Sequence, residues 1–220
     1  MGFRVAEGKS RPKMVLVAHG SGAKTTGADA ILLTVTKAGA KPPQTLTRSK
    51  SAVPWGGWLK EVSASVVKKL GEGGADFVVF PTTSISSAIL EDEKLGKVVE
   101  LEPSLDAGLL KAIDDLPVDA VMISGERSSL TWQDLMFFRR GANILSKPVL
   151  VMVSPNITAG ELQTLCQAGV SGVVAGDKID KLRQMIDKLP APKASRRRAE
   201  PLLPRMGGGV PTAAEEEEEG

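Results

Sequence analysis

Eight short apolar runs recur along this chain at nearly regular spacing, and this recurrence constrains the fold more than any other feature. Four runs follow a small residue and a polar one, as in residues 75–80 and 118–123, and the other four open on Lys or Pro, as in 13–17 and 148–153. Interleaved, the eight begin near residues 13, 29, 54, 76, 97, 119, 148 and 171. A continuously apolar run is typical of a strand covered on both faces. The pattern therefore predicts eight buried parallel strands.

The segments between the runs carry helical periodicity. Apolar residues recur three or four positions apart in segments 62–70 and 105–113, each followed by a Gly or a Pro that can end a helix. After the seventh run, Thr158 and Glu161 have the spacing of a capping box, and Gly169 is placed to end the helix. Strands and helices in this order close most naturally into a (β/α)8 TIM barrel, because an open doubly wound sheet needs a reversal of strand order that the repeat does not suggest.

The repeat is degraded in the first quarter of the chain. A Gly-rich stretch, residues 20–27, is all that joins the first two runs, and Pro42 and Pro43 interrupt the next segment. Because this barrel would end near Leu189, whereas such barrels usually need about 250 residues, its loops must be short. We therefore predict one compact α/β barrel domain over residues 1–189, thin-walled on this side.

The composition changes from Pro190 onward. Residues 190–220 are rich in Pro, Gly and Ala, with an Arg run at 196–198 and a Glu run at 215–219. They contain too few large apolar residues to offset the entropy that ordering would cost. This segment is predicted to be a disordered, charged tail that the barrel does not need in order to fold.

Overall composition excludes several classes of protein. The net charge of +2 gives no strong signal for nucleic acid or an anionic membrane, and no apolar run approaches the length of a membrane span. The single cysteine, Cys166, excludes an intrachain disulfide and suits a reducing cytoplasm. It is expected to be a small core residue, because nucleophiles in such barrels lie at strand ends.

Polar residues follow the predicted strands at their carboxyl ends, where barrels of this type place catalytic groups. His19 follows the first strand, Lys60 the third and Glu102 the fifth, while Glu100 lies inside the fifth and shares a face with Glu102 by alternation. A carboxylate and an amine at neighbouring strand ends can shift each other's pKa, as acid–base catalysis requires. These four residues are our candidate catalytic residues. A structural ion pair inside the barrel accounts for them equally simply.

The helix predicted after the sixth run is apolar over more than one face. It carries Trp132, Leu135, Met136, Phe137 and Phe138, and either Thr131 or Ser129 can cap its start. Packing against a second subunit and packing against its own barrel are both consistent with this pattern. A homo-oligomer therefore stays open as a hypothesis.

Residues 158–176 end in the sequence Ala-Gly-Val-Ser-Gly-Val-Val-Ala-Gly. This stretch resembles the last quarter of aldolase-type, phosphate-binding TIM barrels such as thiamine phosphate synthase and indole-glycerol phosphate synthase. In that superfamily the glycine that ends the eighth strand and the following helix N-terminus hold a phosphate, and Gly176 matches it. The chain departs from the pattern at Asn156, where a glycine pair is expected, and at Asp177, whose charge would repel phosphate and which we interpret as a helix N-cap. Gly176 and Asn156 are our candidate anion-binding residues.

Two functions follow from these patterns. Short loops, Asp177, the absent glycine pair and the degraded first quarter favour a non-catalytic barrel that serves as a scaffold or oligomeric interaction module. The alternative is a small metabolic enzyme of lyase, isomerase or synthase type that acts on a small ligand, phosphorylated or not, at the carboxyl-end rim. No residue spacing identifies a cofactor, and none predicts a metal site.

Overall fold

The structure, a computed structural model of the 220-residue chain, describes residues 13–20, 26–35, 53–83, 87–103, 106–125 and 129–190. Eight parallel strands form a closed barrel in sequence order. They are β1 (Val15–His19), β2 (Ala30–Val35), β3 (Trp55–Leu59), β4 (Phe77–Pro81), β5 (Gly96–Leu101), β6 (Ala120–Ile123), β7 (Val149–Met152) and β8 (Gly172–Ala175). The last strand pairs with the first, with Val15 opposite Gly172 and Ala18 opposite Ala175. The barrel predicted from the repeat is confirmed.

Six helices lie within the described residues: α1 (Ala64–Glu72), α2 (Ser87–Glu91), α3 (Ala107–Asp114), α4 (Trp132–Ile144), α5 (Ala159–Ala168) and α6 (Ile179–Asp187). Thr131 caps α4, and the predicted capping box of Thr158 and Glu161 begins α5. Gly169 ends α5 with a φ of 96°, a left-handed conformation that favours glycine. In α3, Leu110 is buried but Leu109 is 55% exposed, because adjacent helical residues point about 100° apart.

Side-chain alternation divides the apolar residues into two clusters. The inner cluster fills the barrel with one or two side chains from each strand, among them Val17, Leu32, Trp58, Val98 and Met122. The outer cluster joins the opposite faces of the strands to the helices. Since successive strand residues alternate in direction, Glu100, two positions after Val98, faces the interior.

The recurring polar residue before every second strand has a structural role. The Asp29 carboxylate accepts from the Leu16 N–H at 2.9 Å, Asp76 from the Trp55 N–H at 2.9 Å and Asp119 from the Lys97 N–H at 2.7 Å. Ser171 occupies the fourth equivalent position, and its Oγ accepts from the Val149 N–H at 3.4 Å. Each contact fastens the start of an even-numbered strand to the odd-numbered strand before it. The recurring polar residue thus forms an equivalent hydrogen bond four times on the amino-end face of the barrel, and we call each of these hydrogen bonds a latch.

Removing one of these latches should destabilise the barrel in proportion to the bond that is lost. We expect Asp119→Ala to lower the free energy of unfolding by about 1.5–3 kcal/mol, as is usual for a hydrogen bond to a charged group. Ser171→Ala is the matched control and should cost less, because its bond is neutral and long. Urea denaturation of the two variants checks this order, and an equal or reversed loss would contradict the latch.

Three further predictions concern a membrane span, the degraded first quarter and the tail. None of the described helices has both the length and the apolarity that crossing a membrane requires. Most of the degraded first quarter and the predicted tail beyond Pro190 lie outside the described residues. The division into a barrel at 1–189 and a tail at 190–220 therefore stays a prediction.

Candidate functional site

A buried tryptophan organises the carboxyl-end mouth of the barrel. Trp58 lies in β3, points into the interior and is only 6% exposed. Its Nε1–H donates to Oε2 of Glu100 on β5 at 2.6 Å. The indole thus spans from one strand to another two places away in the barrel and fixes a half-buried carboxylate in an otherwise apolar interior.

Two further polar side chains meet the same ring. The His19 imidazole lies edge-on to Trp58 with the ring centroids 5.0 Å apart and the planes at 68°. The Lys60 Nζ lies 3.7 Å from the Trp58 ring centroid, in a cation–π contact. His19 Nε2 lies 3.0 Å from Thr34 Oγ1 on β2. We call His19, Thr34, Trp58, Lys60 and Glu100 the mouth cluster.

The electrostatics of the mouth cluster keep the histidine neutral. Burial lowers the pKa of His19, because an imidazolium loses solvation there, and the positive charge of Lys60 lowers it further. A neutral imidazole has one ring nitrogen that donates and one that accepts. The mouth therefore holds a carboxylate, a neutral imidazole and an ammonium around one aromatic ring.

This low histidine pKa makes a prediction about stability. Because the folded pKa lies below the ordinary 6.5, the unfolded chain binds a proton at His19 before the folded one does. The stability that the neutral His19 contributes is fully present above pH 6.5 and is lost as the pH falls from there through the folded pKa. We expect His19→Gln to remove this part of the dependence, measured as the urea midpoint on both sides of pH 6.5. Parallel profiles for wild type and variant would contradict it.

The structure brings three of the four candidate catalytic residues together. His19, Lys60 and Glu100 all contact Trp58, whereas Glu102 lies one position beyond β5 and is exposed. Within the described residues, Glu102 makes no hydrogen bond or ion pair with the mouth cluster. Among the described residues no ion pair joins Lys60 to a carboxylate: the Lys60 ammonium lies on the indole face, and Oε2 of Glu100 accepts from the indole N–H.

Sequence reasoning missed two members of this cluster. Thr34 is near the end of β2, and Trp58 lies two residues before Lys60. Alternation places both on the same inward face as the residues that were singled out. A tryptophan inside an apolar run is usually a core residue, so the sequence alone does not distinguish Trp58 from the core.

The candidate anion-binding residues lie at the ends of β7 and β8. Asn156 Oδ1 accepts from the Lys178 Nζ at 2.6 Å. Lys178 is the N-cap of α6 and has a φ of 55°, so the prediction that Asp177 caps this helix is wrong. No side chain caps α6, which leaves its first N–H groups without the usual acceptor. This corner therefore presents an ammonium and a helix N-terminus to solvent.

The space beside the Gly176 Cα is nearly empty of protein atoms. A Cβ built there would meet only the His19 carbonyl oxygen, at 3.8 Å, an ordinary contact. The packing of the barrel therefore does not require a glycine at this position. The same contact shows that the corner adjoins His19, since β8 pairs with β1.

A cavity of about 220 Å³ lies beside Asn156, between the end of β7 and the first turns of α4 and α5. Its apolar walls include Leu130, Phe138, Ile157 and Leu165. Glu161 lines one side, and hydrogen bonds from Thr158 lower the pKa of its carboxyl. Where the chain is described, no three His, Cys, Asp or Glu side chains converge closely enough to hold a metal ion.

Comparison with known proteins agrees with this architecture. No protein-family model and no curated protein matches the chain. A solved structure of the tryptophan synthase alpha-subunit from Pyrococcus furiosus is similar, with a TM-score of 0.58 and 16% identity, covering 81% of this chain and 98% of that one. The chain has the TIM-barrel fold. The structure describing mutual activation of the tryptophan synthase α2β2 complex from the same organism gives a TM-score of 0.58 at 14% identity, again covering 81% of this chain and 98% of that one. Identities this low establish the barrel fold alone.

Proposed function

We propose that this chain is a small-molecule enzyme of the lyase or isomerase type, and that it acts at the carboxyl-end mouth of its barrel. The observation that carries the proposal is the bond of 2.6 Å from the buried Trp58 N–H to the Glu100 carboxylate. A barrel core is built more cheaply from apolar side chains, because a carboxylate loses solvation there. A charge kept inside the mouth and held in a fixed orientation is typical of a catalytic group.

The geometry assigns a role to each member of the mouth cluster. Trp58 holds Oε2 of Glu100, which leaves Oε1 to take a proton from a bound ligand. His19 is neutral, so its imidazole can donate a hydrogen bond to an oxygen of the ligand, or accept one from a hydroxyl, without adding charge. The Lys60 ammonium, on the Trp58 ring, favours negative charge that develops on the ligand as the proton leaves. Thr34 orients His19 through its Oγ1.

The corner at the end of β8 supports an anionic ligand. Lys178 has a left-handed backbone that costs a non-glycine residue about 1–3 kcal/mol, and such strain concentrates at functional sites. Its ammonium lies beside an uncapped helix N-terminus and an open glycine, the arrangement that binds phosphate groups elsewhere. The ligand we propose is therefore a small carbonyl compound with a phosphate or carboxylate group.

A panel of small phosphorylated and carboxylated aldehydes and ketones tests this proposal. We expect at least one to raise the thermal midpoint of the wild-type protein and to exchange a C–H proton next to its carbonyl for deuterium in D2O, followed by ¹H NMR. Lys178→Ala should weaken the binding of charged members, and Glu100→Gln should stop exchange but not binding. Binding of charged compounds that Lys178→Ala leaves unchanged, together with exchange that Glu100→Gln leaves unchanged, would contradict the assigned site.

The scaffold function predicted from the sequence is the second candidate. It is favoured by the exposure of Trp132 and Met136 on α4, which are 82% and 64% exposed and distant in the chain from the mouth cluster. The structural neighbours support the enzyme, since they belong to a synthase. A wild-type protein that responds to no member of the panel would support the scaffold instead.

A further inference from the structure

The outer surface of α4 and α5 carries an apolar groove with a positive edge. Trp132 and Met136 are largely exposed there, and a groove of about 590 Å³ runs between the two helices. We call it the α4–α5 groove; its walls are Trp132, Leu135, Met136, Arg139, Arg140, Asn143, Ile144, Thr164, Gln167 and Ala168. A large exposed tryptophan beside a methionine is unusual on a free surface and is typical of an interaction site.

The charge of this groove selects the chemistry of its occupant. Arg139 and Arg140 are both exposed, and no acidic residue is among the described residues that line the groove. Arg139 donates to the Gln167 carbonyl at 2.9 Å, which holds its guanidinium across the gap between the helices. An extended segment with small apolar residues followed by carboxylates would complement both the ring of Trp132 and the two guanidinium groups.

We propose that the end of this same chain occupies the α4–α5 groove. Residues 210–214 read Val-Pro-Thr-Ala-Ala, and five glutamates follow at 215–219. They are the longest acidic run in the sequence, and they follow directly on small apolar residues that can cover Trp132 and Met136. The sequence that connects them to the barrel is polar, Gly-rich and Pro-rich, as a tether requires.

The tether is long enough to reach. The last described residue, Pro190, follows α6, which packs on α5, and α5 packs on α4. Neighbouring helices lie about 8–10 Å apart, so the groove is about 20 Å from the end of the barrel. A flexible chain as long as segment 191–209 has a root-mean-square span of about 25 Å.

A second copy of the chain is a poorer occupant. In a two-fold contact through this groove, Arg139 and Arg140 of one copy would lie near the same residues of the other, and like charges would repel. The Arg run at 196–198, with Leu202 and Leu203 after it, offers the glutamates a competing partner within the tail, but it has no aromatic ring such as that of Trp132. The α4–α5 groove offers two guanidinium groups to the glutamates and the ring of Trp132 to the small apolar residues before them.

Acrylamide quenching of tryptophan fluorescence tests the proposal, because acrylamide is neutral and the three tryptophans differ sharply in exposure. Trp55 and Trp58 are 8% and 6% exposed, so Trp132, at 82%, dominates the quenching. We expect the full chain to be quenched about half as strongly as a variant in which residues 215–219 are all Gln, since a tether of this kind gives effective concentrations near millimolar. Protection should disappear at high salt and increase when the Arg run is replaced by Gln.

Two controls make the result decisive. Trp132→Phe should remove the difference between the two chains, which identifies the fluorophore. A synthetic peptide of residues 207–220 should restore protection to the Gln variant in a saturable way. Equal quenching of the full chain and the Gln variant would overturn the proposal. Protection that grows with protein concentration, together with a dimer in sedimentation velocity, would also overturn it and assign the groove to a second copy.

Discussion

Gly56→Ala is expected to prevent the barrel from closing or to lower its thermal midpoint more than Asp119→Ala does. A Cβ at this position would lie 2.4 Å from Phe77 Cδ2 and 2.5 Å from the Phe77 carbonyl oxygen. The ring of Phe77 could turn away, but its backbone is fixed, since Gly56 pairs with Phe77 in the sheet. Overpacking a core usually costs about 1–3 kcal/mol, and a clash with paired backbone places this variant at the upper end or beyond.

The control for this substitution is Gly176→Ala. Its Cβ would make only an ordinary contact at 3.8 Å, so the same chemical change should leave stability almost unaltered. Urea denaturation followed by circular dichroism measures both variants. A Gly56→Ala protein as stable as wild type would mean that β3 and β4 are not paired in the register described.

Glu100→Gln is expected to have the largest effect on activity. Loss of a general base lowers turnover by about 10²–10⁴-fold. Stability should be kept or raised, because the amide oxygen can still accept from the Trp58 N–H and the charge no longer loses solvation. Turnover on the responding ligand and the thermal midpoint, measured together, check both parts.

Three comparison variants make this result specific. Trp58→Phe keeps a ring for Lys60 and His19 but removes the N–H that orients Glu100, so it should reduce turnover less than Glu100→Gln. Glu93→Gln changes an exposed carboxylate before β5, at the opposite end of the barrel, and should leave turnover unchanged. Glu102→Gln tells which carboxylate of the fifth strand acts. A full loss there with none in Glu100→Gln would exchange the two roles.

The fold was predictable because the same strand pattern recurs eight times along the sequence. All eight runs are strands that begin within two residues of the expected positions. The latches formed by Asp29, Asp76 and Asp119 explain why a polar residue recurs before every second strand. Continuous apolar runs are an unambiguous pattern for strands covered on both faces. Local signals such as the capping box of Thr158 and Glu161 were equally clear, since both partners lie within one turn.

The site was predictable only in part, because its contacts join residues far apart in the chain. Alternation could place Glu100 inside the barrel, but nothing local indicates that an indole from β3 would reach it, 42 residues away. The capping of α6 shows a similar limit. Asp177 has the better N-cap side chain, yet the chain leaves β8 in a turn that places Lys178 at the cap with a left-handed backbone.

The central claim is that the mouth cluster forms a proton-transfer site, and deuterium exchange tests it most directly. The account predicts that wild-type protein in D2O replaces a C–H hydrogen beside the carbonyl of at least one charged aldehyde or ketone in the panel. It also predicts that Glu100→Gln binds the same compound without exchange. Exchange at the wild-type rate in Glu100→Gln, or no exchange by the wild-type protein with any compound that it binds, would contradict the account.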